Sequence, residues 1–166
     1  MNKAFLSIGT NIGSRKSNLK KTISMIQKTE GIVVSLESSI YETSPLINPH
    51  QDKFLNKVVL IETKLSPTDL LNRTQSIESA MGRKSDTHNM PRIIDIDILV
   101  FGDEEVQTDS LILPHPEILN RRFVLEPWNE IAPDYIIKGQ DLSIKGLYNK
   151  YLGNRFKNQK VDLINY

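Results

Sequence analysis

The sequence predicts an α+β domain: a ferredoxin-like βαββαβ antiparallel sheet with helices packed on it and a C-terminal extension. Three observations predict it. Apolar and β-branched runs alternate with two amphipathic stretches in the order strand, helix, strand, strand, helix, strand. The 166 residues contain no internal repeat and no linker-like stretch. Hydrophobic residues make up 39% and charged residues 25%, the balance of a soluble globular chain. A chain this long buries its own core without staples, so residues 1–166 are read as a single domain.

The elements follow in order. Ala4 to Ile8 is a short apolar run ended by Gly9-Thr10-Asn11-Ile12-Gly13, a strand and a turn. Leu19, Ile23 and Ile26 recur near helical spacing among Lys and Gln, so Ser17 to Thr29 predicts an amphipathic helix, closed by Gly31. Ile32 to Tyr41, rich in β-branched residues, predicts a strand. Thr43 to Lys53 holds two prolines and predicts a loop, and Phe54 to Thr63 a further strand. Ser66-Pro67-Thr68-Asp69 has a hydroxyl cap, a first-turn proline and an early acid, so a helix starts there and runs to Met81. Gly82 to Met90 is polar and basic without apolar periodicity, which predicts a mobile loop. Ile93 to Phe101 is the clearest strand. Short strands near Val106 and Leu111 to Leu113, a short helix after Pro116 and a small helix over Leu142 to Tyr151 complete the extension.

Composition excludes several classes of function. Lys+Arg (21) and Asp+Glu (20) nearly cancel, so no global field attracts nucleic acid or an anionic membrane. There is no cysteine, which removes disulfides and thiolate metal sites and suits a reducing compartment. Residues 1–12 are too short and polar for a signal peptide, and no apolar stretch approaches the ~20 residues of a membrane span. We expect a cytoplasmic monomer acting on small molecules. Gly9-x-x-x-Gly13 is neither a Walker A nor a dinucleotide fingerprint.

The chemistry concentrates on the clearest strand. In Ile93-Ile94-Asp95-Ile96-Asp97-Ile98-Leu99-Val100-Phe101 side chains alternate, so Ile94, Ile96, Ile98 and Val100 are expected on one face. Asp95 and Asp97 project from the other, their Cα atoms roughly 6.5–7 Å apart. Paired carboxylates this close raise each other's pKa unless a cation lies between them, and magnesium takes a few carboxylates plus substrate phosphate oxygens. An isolated Asp-x-Asp more often marks a solvent face. Here Ile93, Leu99 and Phe101 are expected to share that face and a basic loop precedes it, so the pair is read as a magnesium site for phosphoryl or pyrophosphoryl transfer.

Other clusters are less specific. Arg83, Lys84 and Arg92 bracket the loop before this strand. They suit a triphosphate, and equally a solvated basic segment. His115 in Pro114-His115-Pro116 is a nucleotide contact or a turn residue. Phe54 and Asn56 share a strand face and suit a flat heterocycle by stacking and donor–acceptor reading, although a strand phenylalanine is usually core. Ferredoxin-like sheets also bind RNA, but through aromatics on the central strand, where this chain carries aspartates that repel phosphate.

Together these residues resemble the 6-hydroxymethyl-7,8-dihydropterin pyrophosphokinases of folate biosynthesis. The resemblance runs from Ser7-Ile8-Gly9-Thr10-Asn11 through Tyr41-Glu42-Thr43, Phe54-Leu55-Asn56 and Gly82-Arg83 to Pro114-His115-Pro116 and Asn120-Arg121-Arg122-Phe123. Its most specific part is Pro91-Arg92-Ile93-Ile94-Asp95-Ile96-Asp97-Ile98-Leu99. It implies a single pyrophosphokinase domain that transfers the β,γ-pyrophosphoryl group of ATP to the pterin hydroxymethyl, releasing AMP. It also implies two Mg2+ ions on Asp95 and Asp97, and charge stabilisation by Arg83 and Arg92. Phe54 and Phe123 would sandwich the pterin, with Asn56 and the Thr43, Pro45 and Leu46 segment reading its edge. Gln75, Glu78, Arg92, Ile98, His115 and Arg121 fall where the family contacts ATP. Met90 stands where the family has Gly or Ala, and Asn89 where it often has Trp. Ser110, Ile112 and Pro116 replace residues that hold nucleotide or pterin in some members.

Overall fold

The computed structural model describes residues 1–84 and 90–164. Part of the expected 82–90 loop, including Asn89, lies outside the described residues. A long central strand β1 (Asn2–Thr10) is flanked by β4 (Phe54–Thr63) and β5 (Asp95–Phe101), both antiparallel to it. Beyond β4 lie β2 (Ile32–Glu37) and β3 (Ile40–Thr43), and β3 pairs in turn with β8 (Val161–Ile164). Helices α1 (Arg15–Gln27) and α2 (Pro67–Ala80) cross between strands, and Ser66 caps α2 by accepting the Asp69 N–H at 3.1 Å. A two-strand hairpin, β6 (Val106–Gln107) and β7 (Ile112–Leu113), precedes α3 (Arg122–Ile131) and α4 (Ile144–Leu152).

Two expectations are corrected. The run Ile32 to Tyr41 is two strands, because the ladder breaks at Ser38. Its N–H donates to the Val58 carbonyl at 2.9 Å while its hydroxyl accepts from the Val58 N–H at 3.0 Å, a side chain standing in for a main-chain acceptor. The alternation of the last strand is also interrupted. Leu6 pairs with Ile98 but Phe5 pairs with Val100, so Leu99 is an extra, bulged residue. Ile94, Ile96, Ile98 and Phe101 consequently join the helix-side core, while Leu99 and Val100 both join the core on the opposite face. The C-terminal extension adds helices on the second face. Ala4, Leu6, Ile8, Val59 and Ile61 meet α1 and α2 on one side; Phe5, Val58 and Leu60 meet α3 and α4 on the other.

The second core is built around Trp128, fully buried, whose ring lies 4.9 Å from Phe5 and 5.6 Å from Tyr135. It roofs only part of that sheet face. The rest, from Ser7 and Asp97 to Gly9, Asn56 and Asp95, opens into a cavity. Trp128→Ala is expected to lower the unfolding free energy by about 3–5 kcal/mol, the usual cost of emptying a large aromatic site. Urea denaturation measures it, and a loss below about 1 kcal/mol would show that this roof is not anchored by the indole.

Candidate active site

Two cavities meet at Asp97. The larger, about 480 Å³, has a floor of Ser7 and Gly9 from β1, Asn56 from β4 and Asp95 and Asp97 from β5. Its walls come from the stretch Thr43 to Asn48, from Gln51 and Phe54, and from Arg92, Glu117, Asn120, Arg121 and Phe123. The smaller, about 250 Å³, lies between Leu71, Ile96, Ile98 and the 109–116 segment, and includes His115.

Strand pairing explains the floor. Gly9 stands opposite both Asp95 and Asn56, and Ser7 opposite Asp97, so small β1 residues leave room over the centre of the sheet. A Cβ at Gly9 would come within 2.7 Å of the Asn56 Oδ1, so the close approach of the amide requires glycine. Asn56 is 3% exposed and its Nδ2 donates to the Thr43 Oγ1 at 2.7 Å, which fixes the amide in one orientation. At the end of β1 the Asn11 Oδ1 accepts the Arg92 N–H at 2.8 Å and the Asn11 N–H donates to the Arg92 carbonyl at 3.1 Å, which docks Arg92 beside the floor.

Three carboxylates meet three arginines here. Asp95 accepts from the Arg83 Nη1 at 2.7 Å and from the Arg92 Nη1 at 2.8 Å. Asp97 accepts from the Arg121 Nη1 at 3.0 Å, with the His115 Nε2 at 3.9 Å. Glu78 of α2 accepts from the Arg83 Nη1 at 2.6 Å and from the Ile96 N–H at 2.8 Å, tying the helix to the acidic strand. All six side chains are partly exposed, so they remain accessible to ligand. Burial, reinforced by Asp95, pushes the Asp97 carboxyl up despite His115 and Arg121. Burial also raises Glu78, against the pull of the Ile96 N–H and Arg83. Burial opposes the Arg83 charge, but Asp95 and Glu78 outweigh it and hold that guanidinium protonated.

His115 is positioned by its backbone, whose N–H donates to the Leu99 carbonyl at 2.8 Å. Its Nδ1 accepts the Glu117 N–H at 3.1 Å, which leaves Nε2 as the protonated nitrogen facing Asp97. Burial lowers its pKa, with Asp97 opposing and Arg121 assisting.

The expected residues are distributed plainly. Thr43, Pro45, Leu46, Phe54, Asn56 and Phe123 line the larger cavity together with Arg92, Asp95, Asp97 and Arg121. Ile98 and His115 line the smaller one, as do Ser110, Ile112 and Pro116. Arg83 and Glu78 reach Asp95 and the strand backbone from the end of α2. Gln75 is the exception: it lies exposed on α2 and lines neither cavity. Met90 is exposed beside the site. Ser7 and Gly9, to which the sequence assigns no role, are floor residues; their alternation on a strand opposite the aspartates is the signal that would find them. Among the described residues no cluster of three or more His, Asp or Glu is arranged to hold a metal by protein ligands alone.

The family model for 7,8-dihydro-6-hydroxymethylpterin-pyrophosphokinase (HPPK) matches residues 5–133. The chain belongs to the HPPK family. Among its relatives is the 2-amino-4-hydroxy-6-hydroxymethyldihydropteridine pyrophosphokinase of Bacillus subtilis, 42% identical over 131 residues, 79% of this chain and 78% of the relative. A protein of the same name from Methylorubrum extorquens is 41% identical over 140 residues, 84% and 89% of the two chains. The fold is also that of the Plasmodium falciparum HPPK-DHPS structure with pteroate, at a TM-score of 0.73 and 19% identity. That match covers 95% of this chain but only 43% of the solved one, so the chain spans under half of that longer protein. As an HPPK, the chain is a pyrophosphokinase of folate synthesis.

In the unfolded chain His115 titrates near 6.5, and folding lowers that value. Between the two midpoints the unfolded chain holds a proton that the folded chain lacks, so this residue makes stability rise with pH through that window. An NMR titration of the ligand-free protein is expected to place the His115 midpoint below 6.5. A midpoint above 6.5 would show that the Asp97 charge outweighs burial.

Proposed function

We propose that this chain transfers the β,γ-pyrophosphoryl group of ATP to the hydroxymethyl group of 6-hydroxymethyl-7,8-dihydropterin. The larger cavity takes the pterin and the smaller one the nucleotide base. The observation that carries this reading is that Asp97 lines both cavities, so a nucleotide in one and an alcohol in the other converge on the acidic strand.

A flat heterocycle suits the larger cavity because Phe54 and Phe123 both line it and the Asn56 amide is held in place by Thr43. Pro45 and Leu46 supply the rest of its edge. Ile98 and His115 receive the nucleotide from the smaller cavity, and Arg121, held between Asp97 and the Phe123 ring at 5.7 Å, stands between the two. Glu78 serves chiefly to orient Arg83. Gln75, exposed on α2, would reach ATP only from the rim of the site.

The reaction is a single displacement. The pterin hydroxyl oxygen attacks the β-phosphorus, and the bond from that phosphorus to the oxygen bridging it to the α-phosphorus breaks. AMP leaves with the bridging oxygen, and the hydroxyl proton is released. Catalysis of such a step is mostly alignment and charge stabilisation. Arg83 and Arg92 present the guanidinium forks that suit phosphate oxygens, and both are already within hydrogen-bond distance of the acidic strand. Asp95 and Asp97 fit Mg2+, which takes one or two carboxylates and fills its remaining positions with water and substrate phosphate. Two ions bound there would offset the charge of the triphosphate. With phosphate oxygens on the arginines, Asp95 and Asp97 would be free to hold the metal. We expect the chain to act as a monomer. Among the described residues no helix is long and apolar enough to cross a membrane, and we place the reaction in the cytoplasm, where ATP and magnesium are supplied.

Purified protein with ATP, magnesium and 6-hydroxymethyl-7,8-dihydropterin is expected to form AMP in proportion to pterin added, and Asp97→Ala to lower the rate by roughly 100-fold or more. Formation of ADP in place of AMP would contradict pyrophosphoryl transfer. Near-normal turnover by the variant would contradict the metal assignment.

A further inference from the structure

The chain continues past the 5–133 stretch matched by the family model, through α4 to β8. Three consecutive residues of this continuation contact two separate walls of the larger cavity. On one side the Gln159 Nε2 donates to the Asn120 carbonyl at 2.9 Å, and its Oε1 accepts the Arg122 N–H at 2.9 Å. The Gln159 carbonyl also accepts from the Arg122 Nη1 at 2.9 Å. On the other side the Lys160 carbonyl accepts the Ser44 N–H at 3.4 Å, and Val161 pairs with Thr43. Asn120, Arg121 and Phe123 line one wall, Thr43 and Ser44 the other.

The segment is rooted apart from the cavity. Phe156 is fully buried in the second core, and the Arg155 Nη1 donates to the Leu119 carbonyl at 3.1 Å. The Gln159 contacts also answer a local need. Helix α3 starts after Arg121, whose side chain makes no cap hydrogen bond, so the cap residue offers the Arg122 N–H no acceptor. The Gln159 amide supplies one at Arg122, the residue immediately before Phe123.

We propose that Gln159 is a positioning residue for the pterin. With Lys160 and Val161 it holds the Asn120–Phe123 wall in register with the Thr43–Ser44 wall, and so sets the cavity's affinity for a flat heterocycle. Gln159 lines neither cavity and acts only through these neighbours. Arg121 is held separately by Asp97 at 3.0 Å, so contacts to the nucleotide are spared when Gln159 is removed.

Because this rests on the pterin reading of the larger cavity, the test measures both substrates on the full chain. Gln159→Ala is expected to raise KM for 6-hydroxymethyl-7,8-dihydropterin roughly three- to tenfold, the effect of losing one or two hydrogen bonds. KM for ATP is expected to change by less than about twofold, as one displaced wall predicts. Gln159→Glu keeps an acceptor for the Arg122 N–H but loses the donor to Asn120, so its pterin KM should fall between wild type and Gln159→Ala. An unchanged pterin KM in the alanine variant, or equal rises for both substrates, would overturn the assignment. If the alanine variant does not fold, a pterin KM in Gln159→Glu equal to wild type overturns it. Wild-type protein that does not saturate with the pterin would overturn the functional reading, and this one with it.

Discussion

The antiparallel register between β1 and β5 governs both ends of one sheet face. Before the bulge, Gly9 and Ser7 stand opposite Asp95 and Asp97, so two carboxylates rise beside residues too small to cover them. After it, Leu99 and Val100 both turn to the face where Phe5 meets Trp128 and the C-terminal helices. A polar, open half and an apolar, roofed half therefore lie on the same strands, separated by one inserted residue. The roof stabilises the strands while leaving the carboxylate end free for ligand. The opposite face, closed by α1 and α2, supplies the rigid backing that a precisely aligned site needs.

The second constraint is electrostatic. Asp95, Asp97 and Glu78 are drawn together by the strand and by the Ile96 N–H that fixes Glu78, and burial raises two of the three. Arg83 and Arg92, on the segment between α2 and β5, and Arg121, just before α3, compensate them. Ion pairs of this kind, part-exposed and shared among several partners, are readily exchanged for other charged groups. A triphosphate with magnesium brings both signs of charge at once: its oxygens suit the arginines and its metal suits the carboxylates. In the proposed reaction Asp95, Asp97, Arg83, Arg92 and Arg121 would exchange these ion pairs for contacts to magnesium and phosphate.

Much of this was legible in the sequence, for identifiable reasons. Asp95 and Asp97 stood out because a strand has period 2, and Ser66-Pro67 because capping is local. Features that depend on distant partners were not legible. The break at Ser38 needs the Val58 backbone opposite it, and the bulge at Leu99 needs the β1 register; neither leaves a mark in its own segment. Helix α3 is masked by Pro127 within it, and its stability comes from Trp128 packing on Phe5. Strand β8 exists because β3 offers an edge, and the contacts of Gln159 span 37 to 39 residues of chain. Gln75, which the family pattern places at ATP, lies exposed on its helix.

Asp95 and Asp97 are proposed to couple magnesium to the triphosphate. Isothermal titration with α,β-methylene-ATP, which cannot undergo the transfer, tests it without turnover. Wild-type protein is expected to lose roughly tenfold or more in affinity when magnesium is chelated, the scale of a charge-assisted contact. The Asp95→Asn, Asp97→Asn double variant is expected to bind the analogue equally well with and without magnesium. A double variant that keeps the wild-type dependence on magnesium would contradict the claim.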